Sequence, residues 1–489
     1  MEILVVSGYI ISLLFIFLFS LAQLNLAWHY RKSKRGSRQG PLIESGDLKN
    51  LPRVTVQLPI YNELYVAERL IKTVSKFDYP REKLEIQVLD DSTDETVEIV
   101  AKWVAYGQQK GLDIQHIRRT DRAGYKAGAL QHGLELAKGD LVAIFDADFM
   151  PQPDFLKKTV AYFQDPEIGV VQTRWGHLNQ DYSILTRVQA FGLDAHFSVE
   201  QSGRSQAGSF INFNGTAGVW RKKCIVDAGG WSADTLTEDL DLSYRAQLKG
   251  WKFKYLQDVV SPAELPVIMS AIKSQQYRWN KGAAETAKKN LWKVLCSNLA
   301  LGNKIHAFFH LFNSSVFIGL FIAAVLSIPM LFIKFSNPQY SFYFNLGSMF
   351  LIGFYSIGYF YWVSSKAIVP QNTLVYYAKY FPVFLTVSMG LSLHNACAVS
   401  EGILGFKTPF IRTPKFNVMS KTDSYRGNVY LNPGISLLTI LEGLFSLYFL
   451  FGIITGIILH DYGLMVFHIM LTAGFAGVFY HSIRAGRHA

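Results

Sequence analysis

The chain alternates between two kinds of sequence that demand different solvents. Apolar runs near the ~20 residues that cross a hydrocarbon core occur at Ile3–Trp28 and again after about residue 305, while residues 51–292 read as a soluble domain. Such a layout forces a water-soluble body between membrane segments and excludes a purely cytosolic enzyme. The charged fraction of 17%, against roughly 25% in ordinary soluble domains, agrees with that division. Half of the residues are hydrophobic and 14% are aromatic, which excludes intrinsic disorder.

Charge sets the expected topology. Arg31, Lys32, Lys34, Arg35 and Arg38 follow the first run directly, so its C-terminal end is expected in the cytoplasm and the N-terminus outside. The run is longer than a signal-peptide core and its positive charges follow it, so it reads as a retained anchor. Further spans are expected at 305–333, 342–363, 435–459 and 462–480. The stretch ending at Leu404 carries Ser392, His394, Asn395 and Glu401, which lipid would tolerate poorly. If it spanned, the basic loop with Lys407, Arg412, Lys415, Lys421 and Arg426 would lie outside, against the positive-inside rule. Residues 374–404 are therefore expected to form an interfacial helix, giving five spans. The domains follow as 1–30, an anchor; 31–50, a basic linker; 51–292, the soluble domain; and 293–489, a membrane domain with a cytoplasmic loop at 405–430. The chain is expected to be a multi-pass membrane protein with its soluble domain in the cytoplasm.

The net charge of +11 is spread without a dense basic tract, so it points to anionic lipid and phosphorylated substrates rather than nucleic acid. Three scattered cysteines, Cys224, Cys296 and Cys397, supply neither a disulfide framework nor a thiolate zinc site.

Within the soluble part, short apolar runs alternate with helical patterns, as expected of an α/β domain with a mainly parallel sheet. The runs Val54–Leu58, Leu84–Leu89 and Leu141–Phe145 each stop at a polar cluster: Tyr61-Asn-Glu63, Asp90-Asp-Ser92 and Asp146-Ala-Asp148. Ligands bind beyond the carboxyl ends of such strands, so three clusters at three ends predict one crevice.

Each cluster has a chemical reading. Asp146 and Asp148 stand two apart at a strand end, which aims both carboxylates to one side as hard ligands for Mg²⁺ or Mn²⁺; a turn or helix cap would use the same residues. Asp90 or Asp91 can accept hydrogen bonds from a nucleoside, while Asp91 or Ser92 can equally cap the next helix. Lys126, between Gly124 and Gly128, suits a diphosphate. Thr237-Glu238-Asp239 places acids at a helix start, where capping alone would favour them, yet in a pocket one can act as general base on a hydroxyl. Gln275, Arg278 and Trp279 fall within about one helical turn. A guanidinium suits phosphate oxygens and an indole offers a face for a sugar ring.

This ordered set, Asp90, Asp146-Ala-Asp148, Thr237-Glu-Asp239 and Gln275-x-x-Arg278-Trp279, resembles the membrane-integrated family 2 glycosyltransferases, the group of cellulose, chitin and hyaluronan synthases. Longer stretches look closest to the cellulose synthase-like A and C branch of glucomannan and xyloglucan-backbone synthases: Val56–Glu63, Val171–Trp175, Phe213–Arg221 and Ala263–Pro266. The likeness covers residues 52–290 and, in layout, the flanking membrane segments.

The resemblance implies a Rossmann-like GT-A fold, an α/β catalytic domain inserted between transmembrane helices, using a nucleotide-diphospho-sugar, UDP-glucose or GDP-mannose, with a divalent metal. It would place Asp90 at the nucleoside, Asp146, Gln275, Arg278 and Lys126 at the diphosphate, and Asp148 on the metal. Asp239 would be the base of an inverting transfer, and Trp279 with Glu238 would meet the acceptor. Phe410-Ile-Arg-Thr413-Pro-Lys415 resembles the gating loop Phe-x-Val-Thr-x-Lys of cellulose synthases, with Arg412 at the Val position. The implied activity is elongation of a β-linked polysaccharide, processive and coupled to secretion, with possible export-partner subunits. The competing activity is transfer of one sugar to ceramide, diacylglycerol or polyprenyl phosphate.

Overall fold

The computed structural model describes residues 1–33, 51–337, 349–431 and 434–486. Most of the basic linker, the start of the 342–363 run and Arg487 lie outside these residues.

The strand-forming runs assemble one seven-stranded sheet: β1 Val54–Ile60, β2 Leu84–Asp90, β3 Asp113–Ile117, β4 Leu141–Ile144, β5 Ile168–His177, β6 Gly218–Arg221 and β7 Lys252–Ala263. Their order is β3-β2-β1-β4-β6-β5-β7. All neighbours are parallel except β6, which runs antiparallel to β4 and β5. Central strands covered on both faces bury polar residues too, and these pair across the ladder. Thr55 donates to Glu85 Oε2 at 2.6 Å and Gln57 to Gln87 Oε1 at 3.0 Å.

Helices close both faces. Leu70 and Val74 of Ala67–Val74, with Val100 and Val104 of Thr96–Gln109, pack on Val56, Leu58, Ile86 and Val88. Leu130 and Leu134 of Tyr125–Leu136, with Leu242 and Ala246 of Glu238–Leu248, pack on Val142, Ile144 and Trp220 across the sheet. This two-sided burial brings the carboxyl ends of β1, β2 and β4 to a common edge.

Four helices are long and apolar enough to cross a membrane among the described residues: Glu2–Lys32, Asn313–Ser336, Leu437–Ile458 and Met465–Arg484. A fifth helix, Met349–Ile368, covers most of the run expected at 342–363. The run expected at 305–333 is interrupted. Leu301–Leu311 is a separate helix, ended by a turn at Asn313–Ser315, where short polar side chains compete with the helical ladder. Its Leu301, Ile305 and Phe308 are exposed, while Ala307 and Leu311 are buried. The 374–404 stretch is two helices, Thr373–Gly390 and Ser392–Leu404, bent by 53° at Leu391.

Candidate active site

A cleft enclosing about 1200 Å³, open mouth included, lies at the carboxyl edge of the sheet. Tyr61 and Glu63 enter it from the end of β1, Asp146 and Asp148 from the end of β4, and Asn214 and Gly215 from the segment leading into β6. Glu238 and Asp239 come from the first turn of their helix. Gln275, Arg278 and Trp279 come from the long helix Met269–Leu295, and Phe410, Arg412, Thr413 and Lys415 from the loop that follows Leu404.

Opposite charges are matched inside this cleft. Lys126 Nζ lies 2.6 Å from Asp146 Oδ1, donates to the Gly215 carbonyl at 2.9 Å and stands 3.8 Å from Glu238 Oε1. Burial opposes its positive charge, but Asp146, Glu238 and Asp239 together hold its pKa above the ordinary lysine value. Asp146 is aimed by its own amide, which donates to Thr216 Oγ1 at 2.9 Å. Asp239 accepts the Leu240 amide at 2.8 Å, and desolvation with the neighbouring Glu238 charge pushes its pKa up to about 7. A carboxyl poised there is suited to take a proton near neutral pH. Gly215 sits at φ +77° with its Cα facing Asp239: a Cβ would stand 3.0 Å from Asp239 Oδ2.

The loop after Leu404 closes the cleft from the far side. Lys415 Nζ lies 2.8 Å from Asp148 Oδ1 and 3.3 Å from Glu63 Oε1, and Arg412 lies 3.5 Å from Glu63 Oε2. Phe410 stacks on Tyr125 at 5.8 Å and lies under the Arg278 guanidinium at 4.7 Å. Glu264, just past β7, accepts the Phe416 and Val418 amides at 2.9 and 3.2 Å and pairs with Arg69 at 3.1 Å.

Eleven of the twelve residues to which the resemblance gives a role line this cleft: Lys126, Asp146, Asp148, Glu238, Asp239, Gln275, Arg278, Trp279, Phe410, Thr413 and Lys415. Asp90 does not. It is buried at the end of β2, where the Ser92 amide donates to Oδ1 at 2.9 Å and His116 Nε2 lies 2.8 Å from Oδ2. Burial would raise its pKa, but these hydrogen bonds hold it below the usual carboxylate range. Its neighbour Asp91 lines the cleft and is gripped by Arg119 at 3.0 and 2.5 Å, so it is no helix cap. Thr237 likewise makes no side-chain cap.

Sequence reasoning missed several lining residues. Arg122 stacks over Tyr61 at 3.2 Å, and Trp175 lies 6.4 Å from Trp279 and stacks on Phe197 at 4.8 Å. The stretches Val171–Trp175 and Ala263–Pro266 were the signal for Trp175 and Glu264; nothing local marked Arg122. Among the described residues no group of three or more His, Cys, Asp or Glu is arranged around a metal position. Asp148 nevertheless fits a hard divalent ion: its carboxylate already faces a cation, Lys415, and diphosphate oxygens would complete the shell.

Residues 52–282 match the family model described as glycosyltransferase like family 2. The chain is 43% identical over 287 residues to probable glucomannan 4-beta-mannosyltransferase 4 of Oryza sativa subsp. japonica, covering 56% of this chain and 51% of the relative. It is 40% identical over 290 residues to glucomannan 4-beta-mannosyltransferase 9 of Arabidopsis thaliana, covering 58% and 54%. The chain thus spans about half the length of the curated relatives it matches. Among solved structures, the mannosyltransferase PcManGT from Pyrobaculum calidifontis, in complex with GDP-Man and Mn²⁺, superposes with a TM-score of 0.52 at 21% identity, covering 75% of this chain and 99% of that one. This likeness establishes the GT-A-like mixed sheet.

Proposed function

Residues 52–282 are a glycosyltransferase family 2 domain, and from that premise we propose that the chain is a membrane-bound, inverting β-mannosyltransferase that extends a β-linked polysaccharide from GDP-mannose. The observation that carries this reading is the convergence of Asp239, Arg278 and Trp279 on the cleft that already holds Asp146, Asp148 and Lys126, residues drawn from four separate elements. The glucomannan mannosyltransferase relatives favour mannose over the other donor open in the sequence.

Trp279 and Trp175 offer flat apolar faces for the acceptor end of a glycan. Asp239, with its pKa about 7, takes the proton of an acceptor hydroxyl as that oxygen attacks the anomeric carbon. Lys126 and Arg278 stabilise negative charge on the departing diphosphate; the Nε of Arg278 is buried without a hydrogen-bond partner among the described residues, a donor in reserve for those oxygens. Because the nucleophile enters opposite the leaving group, an α-linked donor yields a β-linked product. A divalent metal, when bound, would be held by Asp148 and would neutralise the diphosphate. In this reading the catalytic domain lies at the cytoplasmic face with the N-terminus outside, and the polymer is made processively and delivered towards the membrane.

The test is incubation of the protein in nanodiscs with Mn²⁺ or Mg²⁺ and radiolabelled GDP-mannose or UDP-glucose, scoring polymer and lipid fractions separately. Mannose in a high-molecular-weight product, lost in Asp239→Asn, is the expected result. Label confined to lipid would support single transfer instead, and incorporation from UDP-glucose alone would overturn the donor.

A further inference from the structure

The helix Met269–Leu295 has a second working face. Lys273, Tyr277 and Lys281 recur every four residues and, at about 100° per residue, spread over about 80° of the helix. Gln275, Arg278 and Trp279 centre about 150° away, on the side that lines the cleft. On the back face, Lys281 is fully buried and its Nζ donates to Glu401 Oε2 at 3.1 Å and Thr408 Oγ1 at 2.9 Å, while the Tyr277 hydroxyl also donates to Glu401. Two helical turns away, Lys273 Nζ lies 2.5 Å from Glu442 Oε2 and 3.5 Å from Thr439 Oγ1. Glu401 and Thr408 flank the start of the cleft-closing loop; Thr439 and Glu442 follow its end, in the first turns of Leu437–Ile458.

The loop therefore leaves the back of the helix, crosses its front at Phe410 and Thr413, and returns to the back, its two anchors about 12 Å apart along the axis. We propose that Lys281 and Lys273 are positioning residues for sugar transfer: they pin the residues that flank the cleft-closing loop, Glu401 with Thr408 and Thr439 with Glu442, behind the helix whose front holds Gln275, Arg278 and Trp279, so that only the loop's centre moves when a donor enters or leaves. Methionine would bury the same stem without desolvating a charge. What each ammonium adds is direction, because it fixes a carboxylate and a hydroxyl on the partner segment at set points. Gly402 keeps the first pin tight, since a Cβ there would lie 2.7 Å from the Lys281 carbonyl. The inference rests on the donor-transfer reading for its kinetic consequence.

The test uses Lys281→Met and Lys281→Arg in the full chain in nanodiscs. An unpinned loop spends less time in the closed arrangement, so Lys281→Met should raise the KM for GDP-mannose roughly tenfold with kcat within about twofold, and Lys281→Arg should restore it. Trypsin acts on the same loop at Arg412, Lys415, Lys421 and Arg426, and its cleavage of the substrate-free protein should accelerate roughly tenfold in Lys281→Met. Lys273→Met should do the same with cleavage favoured at Arg426. An unchanged KM with a lowered kcat, or an unchanged tryptic rate, would overturn the proposal. If Lys281→Met does not fold, Glu401→Gln at the part-exposed end of the pin carries both readouts. The tryptic rate needs no substrate, so it decides the pin even if wild-type protein transfers no sugar and the donor reading falls.

Discussion

Glu238→Gln should shift the acid limb of the pH profile to lower pH. In the wild-type cleft, burial and the adjacent Glu238 charge raise the Asp239 carboxyl from 3.8 to about 7. Only the ionised form accepts a proton from the acceptor, so kcat/KM should fall about tenfold for each pH unit below that value, leaving about a tenth of the plateau at pH 6. Removing the Glu238 charge leaves the burial in place and subtracts the like-charge repulsion, so activity at pH 6 relative to the plateau should recover roughly three- to tenfold. The same shift has a stability consequence of determined sign. A carboxyl whose folded pKa is raised stabilises the fold below its unfolded value and loses that contribution as pH rises through about 7. Asp239→Asn should therefore stabilise the protein by on the order of a few kcal/mol at pH 8, with the gain vanishing towards pH 4, while lowering kcat by about 10²- to 10⁴-fold. The measurements are kcat/KM for GDP-mannose from pH 5 to 9 and thermal unfolding of both variants from pH 4 to 9. An acid limb below pH 5, or one that Glu238→Gln leaves in place, would refute the assignment of Asp239 as a desolvated base.

Lys126→Met removes the cation between Asp146 and Glu238, so donor KM should rise and kcat should fall by about 10²-fold, read by initial rates. Trp279→Ala should weaken acceptor binding about tenfold with little change in donor KM, seen as shorter product chains. Gly282→Ala would place a Cβ 2.6 Å from Thr237 Cγ2 and 2.8 Å from its amide, pushing the acid-bearing helix off Met269–Leu295; kcat should drop at least about tenfold, since displacing catalytic groups by 1 Å has costs of that order. Chelation with EDTA should abolish transfer, and Mn²⁺ or Mg²⁺ should restore it.

Much of this was legible because it is written locally. A β-branched run ending in acids gave β1, β2 and β4 within two residues of their observed ends, since period and composition determine a buried parallel strand. Asp146, Asp148, Asp239 and the Gln275–Trp279 turn were readable for the same reason. Asp90 shows the limit: whether an acid at a strand end opens to the cleft or is consumed by His116 depends on β3, a strand that the sequence pattern hardly marks. The pairing of Lys415 with Asp148, 267 positions apart by their numbers, and the pins of Lys273 and Lys281 are tertiary and leave no local trace. The break at Asn313–Ser315 was written in the sequence, but the apolar residues on either side masked it.

The reversal of β6 has a consequence of its own. In a wholly parallel sheet only outgoing chain ends reach the cleft, whereas an antiparallel strand delivers an incoming one, here the Asn214–Ala217 segment. That segment follows the helix Gln201–Gln206, which packs against the first helix, Glu2–Ser33. Asn214 Nδ2 lies 3.0 Å from His196 Nε2, and one half-turn on, Ser198 Oγ lies 3.2 Å from Ser364 Oγ of the apolar helix Met349–Ile368. A four-residue strand run backwards thus ties the apolar helix Met349–Ile368 to the floor of the cleft through two hydrogen bonds.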